Sequence, residues 1–417
     1  MATRLRVTSR DYSRPARGPT VRALHASWHG VGASKWPVLD AESLLDAARR
    51  AEGLDDFGDP AFHDPLARLI DATEAEARLH PVGRVITRTR LVTMLRNRLR
   101  AEAWFKDHPE ILQRPIVAPI VITGLPRTGT TFLQRLLSAD PRTRSMLSWE
   151  GANPAPLRGR GAALWDTRRV RAGAIHKVIA GLAPDFLACH PIERDGVDEE
   201  IILLDHSLLS SLPEVMMHVP TYARWQEAQS QAPAYQMLRR LLLLLDWQRA
   251  GQRWLLKTPQ HLECLDDLFA VFPDACVVHV HRDPMVSVAS TCSMVAHARG
   301  FVSDSVDPAE VGRSTLDKLD RMMTRMAETR AQRGGERFVD VYYDDLIASP
   351  VAEARRVLEA TGLEWTPAAE AAVTGASLDR ERDRFGRHVY ALEDFALAAE
   401  EVRERFAEYR ERFELAG

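Results

Sequence analysis

The sequence predicts an α/β protein built on a doubly wound parallel sheet that is flanked by helices. Short runs rich in Val and Ile, such as PIVAPIVITGLP (115–126), are typical of strands buried on both faces of a parallel sheet. Similar steps from strand to loop recur at RWLLKTP (253–259) and ACVVHVHRDP (275–284). Long helical stretches separate these runs. Alternation of strands and helices indicates a parallel sheet with helices on both faces.

The remaining elements follow from apolar periodicity. ERFVDVYYDDL (336–346) is a further strand candidate, and helical spacing of apolar residues predicts helices in most of the chain between the strands. The predicted helices are TTFLQRLLSAD (130–140), DEEIILLDHSLLSSL (198–212), YQMLRRLLLLLDWQRAG (235–251), HLECLDDLFAVFPD (261–274) and the amphipathic LEDFALAAEEVRERFAEYRERFEL (392–415).

Three regions are expected along the chain. Residues 1–24 are rich in Arg, Ser and Pro and are predicted to be flexible. Residues 25–114 show only helical patterns, including AESLLDAARRAEG (41–53), which ends on glycine, so a helical region packed on the following domain is expected. Residues 115–417 form the α/β domain, with a helical insertion at about 151–250.

Composition narrows the class of protein. The chain has 417 residues, of which 45% are apolar and 27% charged, and a net charge of −3, which argues against general nucleic-acid binding. No apolar stretch is long enough to span a bilayer, and the basic N-terminus lacks the apolar segment of a secretion signal. Four scattered cysteines form no CxxC pair, which predicts free thiols in a cytoplasmic protein without a metal site: Cys189, Cys264, Cys276 and Cys292.

A glycine-punctuated loop follows the first predicted strand. In VITGLPRTGTTF (121–132), Gly124 and Gly129 have the GxxxxG spacing of a P-loop, and the helix beginning near Thr130 adds its positive dipole end, so the loop suits a phosphate. Thr130 stands where an ATP-binding loop carries lysine, and the cation in the loop is Arg127. A strand–helix turn without a ligand is the alternative interpretation.

HVHRDPMVSVAS (279–290) is a second candidate segment. A strand ends at Arg282, a helix begins at Pro284, and Ser290 lies eight residues after Arg282. Eight residues are about two helical turns, so the arginine would have to reach along the helix for both side chains to hold one ligand. On this stretch alone, a salt-bridged Arg282 and a packing Ser290 are the favoured interpretation.

The combination of motifs resembles the sulfotransferases that use 3′-phosphoadenosine 5′-phosphosulfate (PAPS), and most of all their bacterial, helix-rich branch. The resemblance covers roughly residues 115–390 and rests on GLPRTGTTFL, WLLKTPQHL, FPDACVVHVHRDPMVSVAS and VYYDDL. It implies a P-loop type sheet, a metal-independent transfer of a sulfuryl group, PAPS as donor, and 3′,5′-ADP (PAP) as product. The charge to be stabilised is then the one that builds on the bridging oxygen as phosphate leaves.

The resemblance also implies roles for individual residues. Arg127 matches a family lysine, and its permanent charge rules out service as a proton donor. Arg282 and Ser290 would hold the 3′-phosphate that distinguishes PAPS from ATP, and Tyr343 would lie near the adenine. Arg387, in RDRFGRHVY (382–390), would cover the 3′-phosphate together with Arg384 and Gly386. The remaining donor-site residues come from the loop motif: Gly124, Pro126, Thr128, Gly129, Thr130, Thr131 and Phe132.

Three residues are candidates for the base that takes the acceptor proton. Glu150 in LSWEGANP and His190 in LACHPIERDG rank above His261 in KTPQHLE, although a salt-bridged Glu150 or a helix-orienting His261 would explain the same residues. Lys257 ends a predicted strand and would reach either the phosphates of the donor or a neighbouring acid.

The acceptor is less defined by sequence. Apolar side chains in the predicted insertion suit a small apolar acceptor, or are simply core: Trp165, Phe186, Leu208, Leu209, Met216, Met217 and Tyr222. A P-loop kinase of a small molecule and a non-catalytic nucleotide-binding protein of the same fold are the alternatives. The oligomeric state is open, with a homodimer as one option.

Overall fold

The central sheet has five parallel strands in the order β2–β3–β1–β4–β5. In this computed structural model, the residues described are 7–15, 17, 27, 36–158, 166–378 and 388–415. The strands are β1 (Ile120–Thr123), β2 (Thr143–Arg144), β3 (Arg253–Lys257), β4 (Cys276–His281) and β5 (Phe338–Tyr342). The predicted fold class is therefore confirmed, and each of the four predicted strands is present. The two-residue edge strand β2 was not predicted.

Both faces of the sheet are covered, as the apolar strand sequences predicted. Every residue of β1 is buried, and alternate residues join two different clusters. Ile120 and Ile122 pack with the helix that follows the loop, whereas Val121 packs with the long helices on the opposite face. This alternation is the reason that a four-residue strand can be apolar throughout.

Helices fill most of the remaining chain. In chain order they are α1 (Ala41–Glu52), α2 (His63–Glu76), α3 (Pro81–Asp107), α4 (Thr130–Ser138), α5 (Ser148–Ala152), α6 (Arg168–Leu182), α7 (Pro184–Cys189), α8 (Ile201–Asp205), α9 (Leu212–Met216), α10 (Pro220–Glu227), α11 (Ala232–Gln248), α12 (Leu265–Val271), α13 (Pro284–Gly300), α14 (Pro308–Arg333), α15 (Tyr343–Ala348), α16 (Pro350–Ala360), α17 (Pro367–Leu378), α18 (Ala399–Arg405) and α19 (Ala407–Arg412). Short 3₁₀ segments lie at Pro60–Phe62, Pro109–Gln113, Pro259–Glu263 and Leu392–Phe395. Within the described residues, none of these helices combines the length and apolar character that a membrane span requires.

The N-terminal region is helical, as predicted, and has a hydrophobic cluster of its own. Asp40 caps α1 by accepting a hydrogen bond from the Ser43 amide, and Gly53 ends the helix at a left-handed φ of 64°. Helices α1, α2 and α3 share this cluster with α10. Residues 7–15 differ from the prediction of a flexible start: Tyr12 is buried, and its hydroxyl donates to Ser293 Oγ at 3.0 Å.

Three predicted helices are shorter than expected. Of 261–274 only α12 is α-helical, and it follows the 3₁₀ segment Pro259–Glu263. In 198–212 only α8 and the start of α9 are helical, because Leu208 takes a left-handed φ of 61° and Ser207 bonds to nearby backbone groups. The C-terminal stretch is broken into a 3₁₀ segment, α18 and α19, with Ala396 left-handed at φ 53°. Most of its buried side chains keep helical spacing, as from Phe395 to Val402 and Phe406, but the buried Leu397 lies off this stripe, so one straight helix would not bury them all.

The topology fixes where a ligand site belongs. β1 lies between β3 and β4. The connection after β1 leads to β2 on one side of the sheet, whereas the connection after β4 leads to β5 on the other side. The carboxyl ends of parallel strands at such a switch point form a crevice where α/β proteins bind ligands. The loop 124–129 follows β1 at that place.

Candidate active site

The loop 124–129 has a backbone that requires glycine at two positions. A Cβ on Gly124 would lie 2.5 Å from the Val280 carbonyl oxygen, and a Cβ on Gly129 would lie 2.9 Å from the Tyr343 ring. Gly129 also has a left-handed φ of 94° directly before α4. Thr128 Oγ1 donates to the Leu125 carbonyl oxygen at 2.7 Å and closes the turn. The glycines thus bring β4 and α15 close to the amino end of α4, where an anion is favoured.

Arg127 projects from this loop in an unusual backbone conformation. Its φ is 71°, which is uncommon for a residue with a side chain. Its Nε donates to Ser290 Oγ at 3.2 Å, and its Nη1 donates to the Cys189 carbonyl oxygen at 2.9 Å. The side chain therefore links the loop both to α13 and to the end of α7. Positive φ values outside glycine concentrate at functional sites.

Arg282 joins the same group from the end of β4. Its Nη1 donates to the Arg127 carbonyl oxygen at 2.7 Å, and its guanidinium carbon lies 3.8 Å from the centroid of the Tyr343 ring. Arg282, Ser290 and Tyr343 therefore all meet around Arg127. Arg282 and Ser290 are connected through Arg127, which contacts both residues. Arg282 does not have to reach along α13, as the sequence spacing had suggested.

Lys257 supplies the amine that the loop lacks. It is the last residue of β3, is 1% exposed, and donates from Nζ to Thr131 Oγ1 at 3.2 Å. The same Nζ is paired with the Glu199 carboxylate. The sequence left open whether Lys257 reaches the phosphates of the donor or a neighbouring acid. Lys257 stands at the carboxyl end of an apolar strand, and this position could have identified it as a site residue. That strand, β3, pairs with β1, which the loop follows.

Glu199, the partner of Lys257, also interacts electrostatically with His190. Burial acts to raise the pKa of Glu199, but Lys257, His190 and His261 together hold this pKa below its ordinary value. His190 follows α7, is half-buried, and stacks on Phe186 with 5.9 Å between ring centroids. Because Arg127 bonds to the carbonyl of Cys189, His190 is tied to the loop through its neighbour in sequence.

His261 is enclosed. It is 0% exposed; its Nε2 lies 2.6 Å from Glu200 Oε1 and its Nδ1 lies 2.7 Å from the Tyr235 hydroxyl. Glu200 Oε2 in turn accepts the Lys257 amide at 2.6 Å. An acceptor cannot touch an imidazole that is covered on all sides, so these contacts argue against the predicted role of His261 as the base.

Glu150 is likewise committed to a structural arrangement. Its carboxylate accepts from Arg144 at 3.0 Å through both oxygens, from Arg249, and from the Leu147 amide. Burial acts to raise its pKa, but Arg249, Arg144 and the Leu147 amide together hold the pKa of Glu150 below its ordinary value. A carboxylate that accepts this many hydrogen bonds is a poor acceptor of a proton. These contacts therefore argue against the predicted role of Glu150 as the base.

The predicted cover of the 3′-phosphate lies outside the described residues, since Arg384, Gly386 and Arg387 fall in 379–387. The next described residue is His388, whose Nε2 lies 2.8 Å from Ser293 Oγ, one turn beyond Ser290 on α13. Burial and the nearby Arg127 charge lower the pKa of His388 to about 3. His388 therefore packs one helical turn from Ser290, the residue that binds Arg127.

The apolar residues expected to wall an acceptor pocket fall into two groups. Leu208, Met217 and Tyr222 belong to the buried cluster of the N-terminal region, so the core interpretation holds for them. Phe186 is half-buried and contacts His190. Trp165 lies outside the described residues.

One group of metal-ligating side chains lies behind the site, on the sheet face under α19. The ligand atoms of His279, His281 and Asp340 lie within 4.8 Å of one another. Arg330 already pairs with both oxygens of Asp340 at 2.6 Å. A divalent cation would have to compete with this guanidinium and would bury two further positive charges, so we assign the group to the packing of α14 and α19 on the sheet.

Comparison with known proteins decides the family. A family model described as the sulfotransferase family matches residues 119–367, which include the loop, Lys257, Arg282 and Tyr343. The chain belongs to the sulfotransferase family. The resemblance stated from the sequence motifs is thereby confirmed.

Similar sulfotransferases of known structure come from mycobacteria. The crystal structure of sulfotransferase STF1 from Mycobacterium tuberculosis H37Rv is 34% identical and covers 88% of this chain and 98% of its own, with a TM-score of 0.78. Sulfotransferase STF9 from Mycobacterium avium is 26% identical and covers 91% of this chain and 98% of its own, with a TM-score of 0.81. These bacterial relatives share the fold over nearly the whole chain.

Curated relatives match over a shorter part of the sulfotransferase chain. The omega-hydroxy-beta-dihydromenaquinone-9 sulfotransferases Stf3 of Mycobacterium bovis and M. tuberculosis are 28% identical over 256 residues, 59% of this chain. The chain spans 63% of the length of these curated relatives.

Proposed function

We propose that this sulfotransferase moves a sulfuryl group from PAPS to a hydroxyl, or an amine, of a small apolar acceptor and releases 3′,5′-ADP. The observation that carries the proposal is the meeting of Arg127, Arg282, Ser290 and Tyr343 at the carboxyl end of β1 and β4. PAPS carries a 3′-phosphate on its ribose, and ATP does not. Arg282 and the buried Ser290, beside the loop, are side chains that would bind this additional phosphate.

We infer one orientation of the donor from this arrangement. The phosphosulfate lies on the loop 124–129 and the amino end of α4, where backbone N–H groups and the helix dipole favour an anion. The 3′-phosphate lies between Arg282 and Ser290, and the adenine lies near Tyr343 and Phe132. Family membership supports PAPS as the donor, and the shape of the loop supports its placement.

The chemistry then follows from charge. The acceptor oxygen forms a bond to sulfur while the bond from sulfur to the bridging oxygen breaks, so negative charge builds on that oxygen. Lys257 Nζ, at the first turn of α4, and the Arg127 guanidinium are the cations that we assign to the stabilisation of this oxygen. The acceptor loses its proton, which a nearby base has to take.

We assign that base to His190. It is the candidate of the three that keeps an exposed surface, and the Glu199 carboxylate beside it would stabilise the imidazolium that forms. The acceptor would then bind between His190, Phe186 and the loop. The Stf3 relatives carry the name of an omega-hydroxylated dihydromenaquinone, which supports a hydroxyl on an apolar molecule as the acceptor class.

Replacing His190 with alanine is expected to lower kcat by about 10²-fold, the lower end of the range for general base catalysis. Affinity for 3′,5′-ADP should stay within about twofold, because His190 contacts no group placed at the donor. Steady-state kinetics with an acceptor from an untargeted screen, together with calorimetry, would measure both. His176→Ala on α6 is the matched control, and wild-type turnover of the His190 variant would contradict the assignment.

Calorimetry with 3′,5′-ADP and with ATP–Mg²⁺ tests the donor itself. A sulfotransferase site should bind 3′,5′-ADP and discriminate against ATP, whereas tight binding of ATP–Mg²⁺ without 3′,5′-ADP would favour the kinase. Donor binding without transfer to any acceptor would favour the non-catalytic alternative.

Replacing Arg282 with alanine is expected to weaken 3′,5′-ADP binding by about 1.5–3 kcal/mol, the range for a hydrogen bond to a charged group. Binding of 5′-AMP should change less, because that nucleotide has no 3′-phosphate. Arg355→Ala, an exposed arginine on α16, is the control. Equal losses for both nucleotides in the Arg282 variant would place the 3′-phosphate elsewhere.

A further inference from the structure

A chain of buried hydrogen bonds runs from α11 to the end of β3. Tyr235, His261 and Glu200 are each no more than 1% exposed, and their contacts of 2.7 and 2.6 Å lead to the Lys257 amide at 2.6 Å. We propose that these three residues are positioning residues for Lys257, and that His261 serves the reaction by this route without touching the acceptor. The inference rests on the proposed function, in which Lys257 faces the bridging oxygen.

The direction of the hydrogen bonds follows from the tyrosine. Burial raises the pKa of Tyr235 well above its ordinary value, so the hydroxyl keeps its proton and donates it to His261 Nδ1. The other imidazole nitrogen then carries the hydrogen and donates to Glu200 Oε1. Glu200 Oε2 remains free to accept the Lys257 amide, so both oxygens of the carboxylate are used.

Two adjacent glutamates thus hold the two ends of one lysine. Glu200 binds the backbone amide of Lys257, and Glu199 binds its Nζ. Because the amide and Nζ are fixed separately, the side chain has little freedom to leave Thr131 and the amino end of α4. A displacement of about 1 Å in such a group can lower a rate by about 10²-fold.

A double-mutant cycle distinguishes positioning from general stabilisation. Glu200→Gln replaces one acceptor oxygen with an NH₂ donor, so it cannot serve both His261 and Lys257, and we expect kcat to fall by about 10–10²-fold. In a Lys257→Met background the same change should lower kcat by less than about threefold, because the group being positioned is absent. The rate is read as release of 3′,5′-ADP from PAPS, with acceptor or with water alone.

Conservative variants provide the second measurement. His261→Gln places an amide near the position of Nε2 and should retain more activity than His261→Ala, while Tyr235→Phe is the mildest change if the others fail to fold. Equal fold-losses for Glu200→Gln in both backgrounds, or equal rates for His261→Gln and His261→Ala, would overturn the positioning chain. Absence of 3′,5′-ADP binding by the wild-type protein would instead overturn the proposed function.

Discussion

Replacing Lys257 with methionine is expected to lower kcat by about 10³-fold, the upper end of the range for losing one donor to a developing oxyanion. The size of the effect follows from burial: Lys257 Nζ lies at the amino end of α4 in a site with little water, where a full charge acts strongly. Methionine keeps the length and apolar stem of the side chain. Single-turnover measurement of sulfuryl transfer would separate this loss from any change in donor affinity.

The matched control addresses the partner of Lys257. Methionine leaves the Glu199 carboxylate without its cation, and an unpaired buried charge can destabilise the fold by itself. The double variant Lys257→Met/Glu199→Gln removes both charges and should melt close to wild type while remaining slow. Wild-type turnover of that double variant would show that the bridging oxygen is stabilised elsewhere.

The meeting of the loop with Arg282 was predictable because the sequence information for it is local. Gly124 and Gly129 meet backbone requirements within one turn, and Arg282 directly follows a strand whose apolar sequence identifies it. Parallel strands place their carboxyl ends at one edge, so a loop after β1 and an arginine after β4 are expected to meet. What the spacing did not predict is that Arg127 contacts both Ser290 and Arg282.

The surroundings of the candidate bases were harder to predict because they depend on partners that are distant in sequence. Glu150 is bound by Arg249, 99 residues later, and His261 by Glu200, 61 residues earlier. Neither partner stands at a spacing that a helix or strand would explain. The position of Glu150 after the loop therefore made it a candidate. The contacts of Glu150 with arginines, which the sequence does not reveal, are the reason that we favour His190 instead.

Replacing Glu150 with glutamine is expected to lower the free energy of unfolding by about 3–5 kcal/mol, the range for breaking a buried ion pair. Arg144 is 2% exposed and loses the negative charge that balances it. Glutamine also turns an NH₂ group toward the Arg144 guanidinium, so one of the two hydrogen bonds is lost. Denaturant unfolding monitored by tryptophan fluorescence would measure the loss. If Glu150 were instead the catalytic base, the variant would unfold like the wild type and turn over slowly.

The pH dependence of this loss gives an independent check on the same carboxylate. Because its arginine partners lower the pKa of Glu150 in the folded protein, the ion pair contributes stability above the ordinary glutamate value of 4.5 and loses it as pH falls through the lower, folded-state pKa. The difference in stability between wild type and Glu150→Gln should therefore be largest near neutral pH and shrink on acidification below that value. Glu400→Gln, in an exposed pair with Arg403, is the control and should change stability little at any pH, because water screens that pair. A gap that stays constant down to the acid transition would mean that the Glu150 variant loses packing and not charge.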